Sequence, residues 1–149
     1  MPTAAPVAVI DALNSLLESQ QNSIIRFMGE GSPYLSRATV EVRRPLQMML
    51  NNNFRRCRDL YEMIESLGGT PRPLGLQPEE QYLAFLSLKF LLPKITDAKG
   101  LIIRRYENAL KAIGKGPPEV VDLLNRHLAA HRAELAILEQ KTADVLVGK

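Results

Sequence analysis

Residues 60–92, LYEMIESLGGTPRPLGLQPEEQYLAFLSLKFLL, decide how this chain folds. Leu60, Met63 and Leu67 alternate spacings of three and four, which puts them on one stripe of a helix. Gly68-Gly69 then offers a permissive helix stop, and Pro71 cannot continue the helix. The stretch from Thr70 to about Leu92 opens Pro-rich and ends in an apolar run, YLAFLSLKFLL. A connection of roughly twenty residues is too long for a tight antiparallel turn and lets the next helix start at the other end of a bundle. Its apolar half has to be covered by the bundle or by a partner.

Working upstream, the pattern predicts a helix A over residues 6–28, with Pro6 in the first turn, where its missing N–H costs nothing. Ile10, Leu13, Leu17, Gln20, Ile24 and Phe27 form its stripe, and GEGSP at 29–33 ends it. Helix B lies within residues 37–67, and Pro45 is either its first-turn residue or the site of a kink in a longer helix. Its inner stripe reads Leu46, Met49, Asn53, Arg56, Leu60, Met63, Leu67. Downstream, helix C is expected from about residue 93 to 113. Gly114 to Gly116 with Pro117-Pro118 make a short connection into an antiparallel helix D that extends close to Leu146. Helix D carries Val121, Leu124, Leu128, His131, Leu135, Leu138, Thr142 and Val145 on one stripe. The fold class is therefore all-α: two antiparallel helical pairs joined by a long crossover between helices B and C, in a single domain over residues 1–149.

Composition narrows the function. At this size a chain buries roughly 70% of the surface its unfolded form exposes, so a helical core suffices. The single cysteine, Cys57, excludes an intramolecular disulfide framework and fits a reducing compartment, so a cytoplasmic location is expected. The first twenty residues lack a basic region before their apolar ones, and no stretch is long enough for a transmembrane span, so neither export nor membrane insertion is expected. Net charge is only +3 with basic and acidic residues interspersed, which does not favour nucleic-acid binding.

Two local signatures carry a family resemblance. Leu13-Asn14-Ser15-Leu16-Leu17-Glu18-Ser19-Gln20 is similar to the opening of helix A, and LYEMIESLGGTP at 60–71 resembles the end of helix B, in the ferritin-like superfamily, particularly bacterioferritin and rubrerythrin relatives. With the helix plan, the resemblance covers nearly the whole chain and implies a ferritin-like four-helix bundle. In members with a di-iron centre, two helices each supply a Glu and the other two each supply a Glu-x-x-His pair. Carried over by position, the helix A carboxylate falls on Gln20, the helix B pair on Asn53 and Arg56, the helix C carboxylate near Lys99 (Gly100 if the register slips), and the helix D pair on Leu128 and His131. One of six ligands remains, and Arg56 and Lys99 place positive charge where metal would lie. The resemblance thus implies a degenerate di-iron site, with no cofactor and no ferroxidase activity. The bacterioferritin haem methionine falls near Phe54, and Met48 and Met49 read as core filler.

Other residues leave alternatives open. Gln20, Asn53, Arg56 and His131 could line a polar pocket for an anion or small organic ligand, or form an internal hydrogen-bond network. His127, His131 and Glu134, at i, i+4 and i+7, could hold a transition metal such as zinc. The simpler reading has His131 bonded to Gln20, Asn53 or water, with His127 and Glu134 solvated on the helix flank. The stripes offer no obvious carboxylate for Arg56, which either needs a partner or snorkels outward. Asp59, Glu62 and Glu65 read as a solvated face, and Cys57 as a packing residue. No nucleotide-binding loop, catalytic triad or Cys-x-x-Cys pair appears, so no enzyme is recognisable. The expectation is a non-catalytic scaffold or interaction module, self-associating as a homodimer through helices A and B or the crossover. The rival is an iron-binding oxidoreductase or iron-storage protein with an atypical site.

Overall fold

A computed structural model describes residues 6–21, 40–72 and 88–146 of the chain. They form four helices: α1 (Pro6–Gln21), α2 (Val40–Ser66), α3 (Leu88–Ile113) and α4 (Pro118–Leu146). Residues 22–39, with the expected end of helix A at GEGSP, and residues 73–87 of the connection lie outside the described residues.

The side-chain contacts fix the directions of the helices. Gly69 sits against Ile10, while Asn53 reaches the backbone carbonyl of Gln20, so α1 and α2 run antiparallel. Lys99 meets Glu134 and Tyr106 meets His127, so α3 and α4 do the same. Arg56 pairs with Glu134 and Asp59 with His127, which makes α2 antiparallel to α4 as well. It follows that α2 and α3 are parallel to each other. Consecutive helices that run parallel are the mark of a crossover rather than an up-down-up-down bundle.

The helix ends follow from local chemistry. Gly68 adopts φ 83° after α2, and the amide of Gly69 closes the turn on the carbonyl of Ile64 at 2.9 Å. The departing chain is then tied to α1, because Asn14 accepts the amide of Arg72 at 2.8 Å and donates to the carbonyl of Thr70 at 3.3 Å. Gly114, at φ 53°, ends α3 in the same way. Pro118 opens α4, with Glu119 in the first turn complementing the helix dipole.

Two boundaries differ from those read in the sequence. Helix α3 starts at Leu88 rather than near Pro93, so the last apolar residues of the expected connection are its first turn. Pro45 lies inside α2, which begins at Val40. In both helices the proline removes one backbone hydrogen bond close to the N-terminus, and packing of Leu46, Leu92 and Ile95 holds the turn together. The core is built from Leu13, Leu17, Leu60, Ile64, Tyr106 and Leu124, with Ile64 rather than Met63 as the fully buried α2 residue near its end.

Candidate functional site

Midway along the bundle the apolar core gives way to a layer of buried polar side chains from all four helices. Gln20 comes from α1, Asn53 and Arg56 from α2, Lys99 and Tyr106 from α3, and His127, His131 and Glu134 from α4. Each lies on the inward stripe of its helix, so the periodicity that builds the core also delivers these groups to the centre.

Glu134 is the hub. The Arg56 guanidinium donates to both of its oxygens, Nη1 to Oε2 at 3.0 Å and Nη2 to Oε1 at 2.8 Å. Lys99 Nζ donates to Oε1 at 2.7 Å, and Asn52 Nδ2 to Oε2 at 3.2 Å. The carboxylate therefore accepts four hydrogen bonds, which fills its lone-pair capacity. Burial on its own would raise the Glu134 pKa, but the bonds from Arg56 and the neighbouring charges of Lys99 and Arg56 outweigh it and hold the group below the usual carboxylate range. Burial lowers the Lys99 pKa, and Glu134 only partly opposes the shift.

Lys99 Nζ also lies 3.0 Å from His131 Nδ1. A lysine ammonium has no lone pair to offer, so His131 Nδ1 accepts and the neutral ring carries its proton on Nε2. Burial keeps His131 neutral far below the ordinary histidine range, reinforced by the positive charges of Lys99 and Arg56. Its ring packs against Tyr106 with centroids 5.1 Å apart.

Tyr106 begins a second chain of bonds. Gln20 Nε2 donates to the Tyr106 hydroxyl, which lies 2.8 Å from His127 Nδ1. His127 Nε2 in turn lies 3.0 Å from the half-exposed carboxylate of Asp59. The directions are set by Asp59: His127 donates from Nε2, accepts the tyrosine O–H at Nδ1, and leaves the phenol oxygen to accept from Gln20. Burial lowers the His127 pKa despite Asp59, and burial raises the Tyr106 pKa strongly, so both are neutral near pH 7.

The residues singled out in the sequence are thus distributed as follows. Gln20, Asn53, Arg56, Lys99 and His131 meet in this layer, while Leu128 joins the apolar core beside it. Lys99 is the inward residue at the α3 position, and Gly100 is only half-buried. Three expectations are corrected. His127 and Glu134 are buried rather than solvated, because α4 turns both toward α2 and α3. Arg56 does not snorkel outward: it has a bidentate acidic partner. Asp59 separates from the exposed Glu62 and Glu65 by bonding His127. Met49 is core, whereas Met48 and Phe54 are more than half exposed, at 57% and 52%.

Glu134 stood out in the sequence only as a possible metal ligand with His127 and His131, and its role as the counter-ion of Arg56 and Lys99 comes from the structure. Tyr106 carried no such signal. Among the described residues, no group of three or more His, Cys, Asp or Glu is arranged to hold a metal ion. No described helix is long and apolar enough to cross a membrane. Between α2 and α4, a groove of about 410 Å³ lined by Arg44, Met48, Met49, Asn52, Glu134 and Ile137 reaches down to this layer.

No protein family profile matches the sequence, and no curated protein is similar to it. Among solved structures, the fold is similar to that of the Desulfovibrio desulfuricans bacterioferritin, whose crystal structure describes a diiron site in different catalytic states. The TM-score is 0.81 at 17% sequence identity, over 96% of this chain and 82% of the bacterioferritin chain. The chain has the ferritin-like four-helix bundle fold.

Proposed function

We propose that this chain is a non-catalytic ferritin-like protein acting as a scaffold or interaction module, with a bundle centre held together by its own side-chain cations instead of metal. One observation carries the reading: Glu134, the one carboxylate on the inner face of this layer among the described residues, is already shared by Arg56 and Lys99. A di-iron centre of this fold draws on four carboxylates to balance two hard cations. Here Gln20, Asn53 and Leu128 offer no negative charge, and the two basic groups take up the charge that is present. The bacterioferritin it resembles in fold has a diiron site, and the present residues fit such a group poorly.

Metal analysis of protein expressed with excess iron and manganese tests the reading. It predicts far less than one metal ion per chain and no oxidation of ferrous iron above the buffer rate. Two tightly held ions per chain would instead favour an iron-binding oxidoreductase or storage protein.

An interaction role is supported by the outer face of α2. Phe54 and Tyr61, seven residues apart and therefore on one face, are 52% and 47% exposed. We expect a homodimer through this face in the cytoplasm. Light scattering behind a sizing column checks it, with a shift to monomer expected for Phe54→Arg combined with Tyr61→Arg.

A further inference from the structure

Three buried polar atoms in the central layer have no hydrogen-bond partner among the described residues: Arg56 Nε, His131 Nε2 and Gln20 Oε1. Leaving such groups unmatched inside a protein is costly, and native interiors match nearly all of them with protein or with bound solvent and ions. The side chains that carry them are at least nine-tenths buried, with Arg56 at 4% and the other two at 0% exposure. They also belong to one contiguous cluster. Gln20 bonds Tyr106, whose ring lies against His131, and Lys99 links His131 to Glu134 and so to Arg56.

The chemistry of the three atoms is not random. Arg56 Nε–H is a charged donor. With Nδ1 accepting from Lys99, His131 Nε2–H is a donor as well. The charges point the same way: Arg56 and Lys99 are two cations that share the single carboxylate of Glu134, and His131 and Tyr106 add no negative charge. Asp59 lies at the edge of the layer and is 43% exposed at its side chain, so solvent screens its charge; its bond from the neutral His127 brings no charge into the balance. The buried centre thus has one positive charge more than its acidic groups balance, together with two unmatched donors. Burial of an unbalanced charge is strongly disfavoured unless something of opposite sign accompanies it.

We propose that the bundle centre binds one small monovalent anion, of the halide or formate class, held by Arg56 Nε–H and His131 Nε2–H, with a water donating to Gln20 Oε1. The groove between α2 and α4, lined by Arg44, Asn52 and Glu134, meets the same cluster at Glu134, the carboxylate shared by Arg56 and Lys99. The site rests on the metal-free reading of the same centre, since a metal cation there would repel the two basic groups that attract the anion.

The test uses the full-length protein crystallised from sodium bromide, with diffraction data collected at the bromine absorption edge. The expected result is one anomalous peak per chain within hydrogen-bonding distance of Arg56 Nε and His131 Nε2. Bromide found on the surface alone is an adventitious ion only and overturns the proposal, as does a central site that shows no anomalous signal in crystals grown with bromide as the sole small anion. Lys99→Met removes the surplus charge and is expected to abolish the peak, so a peak of equal height in that variant contradicts the charge argument. Should Lys99→Met fail to fold, Arg56→Lys keeps the charge but removes Nε–H, with the same expectation. Metal analysis of the same preparation separates the two claims. Iron at the centre ends both, whereas a metal-free centre that ignores bromide ends this inference alone.

Discussion

Glu134 accepts from Arg56, Lys99 and Asn52 in a buried layer, so removing its charge strands two cations rather than deleting a contact. Breaking a buried pair from one side costs about 3–5 kcal/mol, while replacing all partners by apolar groups of similar volume is often close to neutral. Glu134→Gln is therefore expected to lower unfolding free energy in urea by about 3–5 kcal/mol. Combining Glu134→Leu with Arg56→Met and Lys99→Met should recover most of that loss. A second residue-scale expectation concerns acid. His127 and His131 have folded pKa values lowered from 6.5, so below that pH the unfolded chain binds protons that the folded chain refuses. Stability must then fall as pH drops below about 6.5, by up to about 1.4 kcal/mol per pH unit for each histidine. Glu134, with its pKa lowered from 4.5, adds stability that is present above that value and is lost as pH falls through its folded pKa. Lys99 acts in the same direction at higher pH: its pKa is lowered from 10.5, so stability rises with pH from its folded pKa up to 10.5. Melting temperature against pH checks this, and His131→Gln, which keeps an acceptor for Lys99 but does not titrate, should flatten the profile below pH 6.5. At this scale the site was only partly legible. Stripe positions put Gln20, Asn53, Arg56 and His131 inward, but a stripe has no sharp edge, and Glu134 and His127 lie just far enough round α4 to be read as solvated.

Where α2 ends, Gly68 and Gly69 have different jobs. Gly68 needs its φ of 83°, a conformation that costs other residues about 1–2 kcal/mol. Gly69 has an ordinary backbone, but an added Cβ would come within 2.8 Å of Ile10 Cγ2. Gly68→Ala should thus destabilise whatever surrounds it, by about 1–2 kcal/mol. Gly69→Ala should cost about 1–3 kcal/mol through overpacking, and Ile10→Ala should relieve that penalty in the double variant. Denaturant unfolding of the three variants and the double distinguishes backbone strain from collision. The same elements show why helices were easier to read than their boundaries. Glycines and prolines after α2 and α3 mark stops by chemistry that is visible in the chain. The start of α3 was hidden because Pro93 resembles a first-turn residue, and only packing of Leu92 and Ile95 decides that the helix begins before it.

On the scale of the whole molecule, the parallel relation of α2 and α3 makes the bundle a crossover type, and that feature was legible from the length of the Pro-rich connection alone. What the bundle does was less legible, because a fold hosts many functions and the site decides among them. The exposed Phe54 and Tyr61 face of α2 is expected to mediate self-association, and the Arg pair placed there should yield monomers of unchanged helicity by circular dichroism. The centre is the sharper issue, since Arg56 and Lys99 occupy the layer in which metal-binding bundles gather carboxylates. Elemental analysis of the purified protein after expression with excess iron and manganese is the most direct measurement: a metal content far below one ion per chain agrees with a centre neutralised by its own lysine and arginine, and two ions per chain that survive chelation would contradict it.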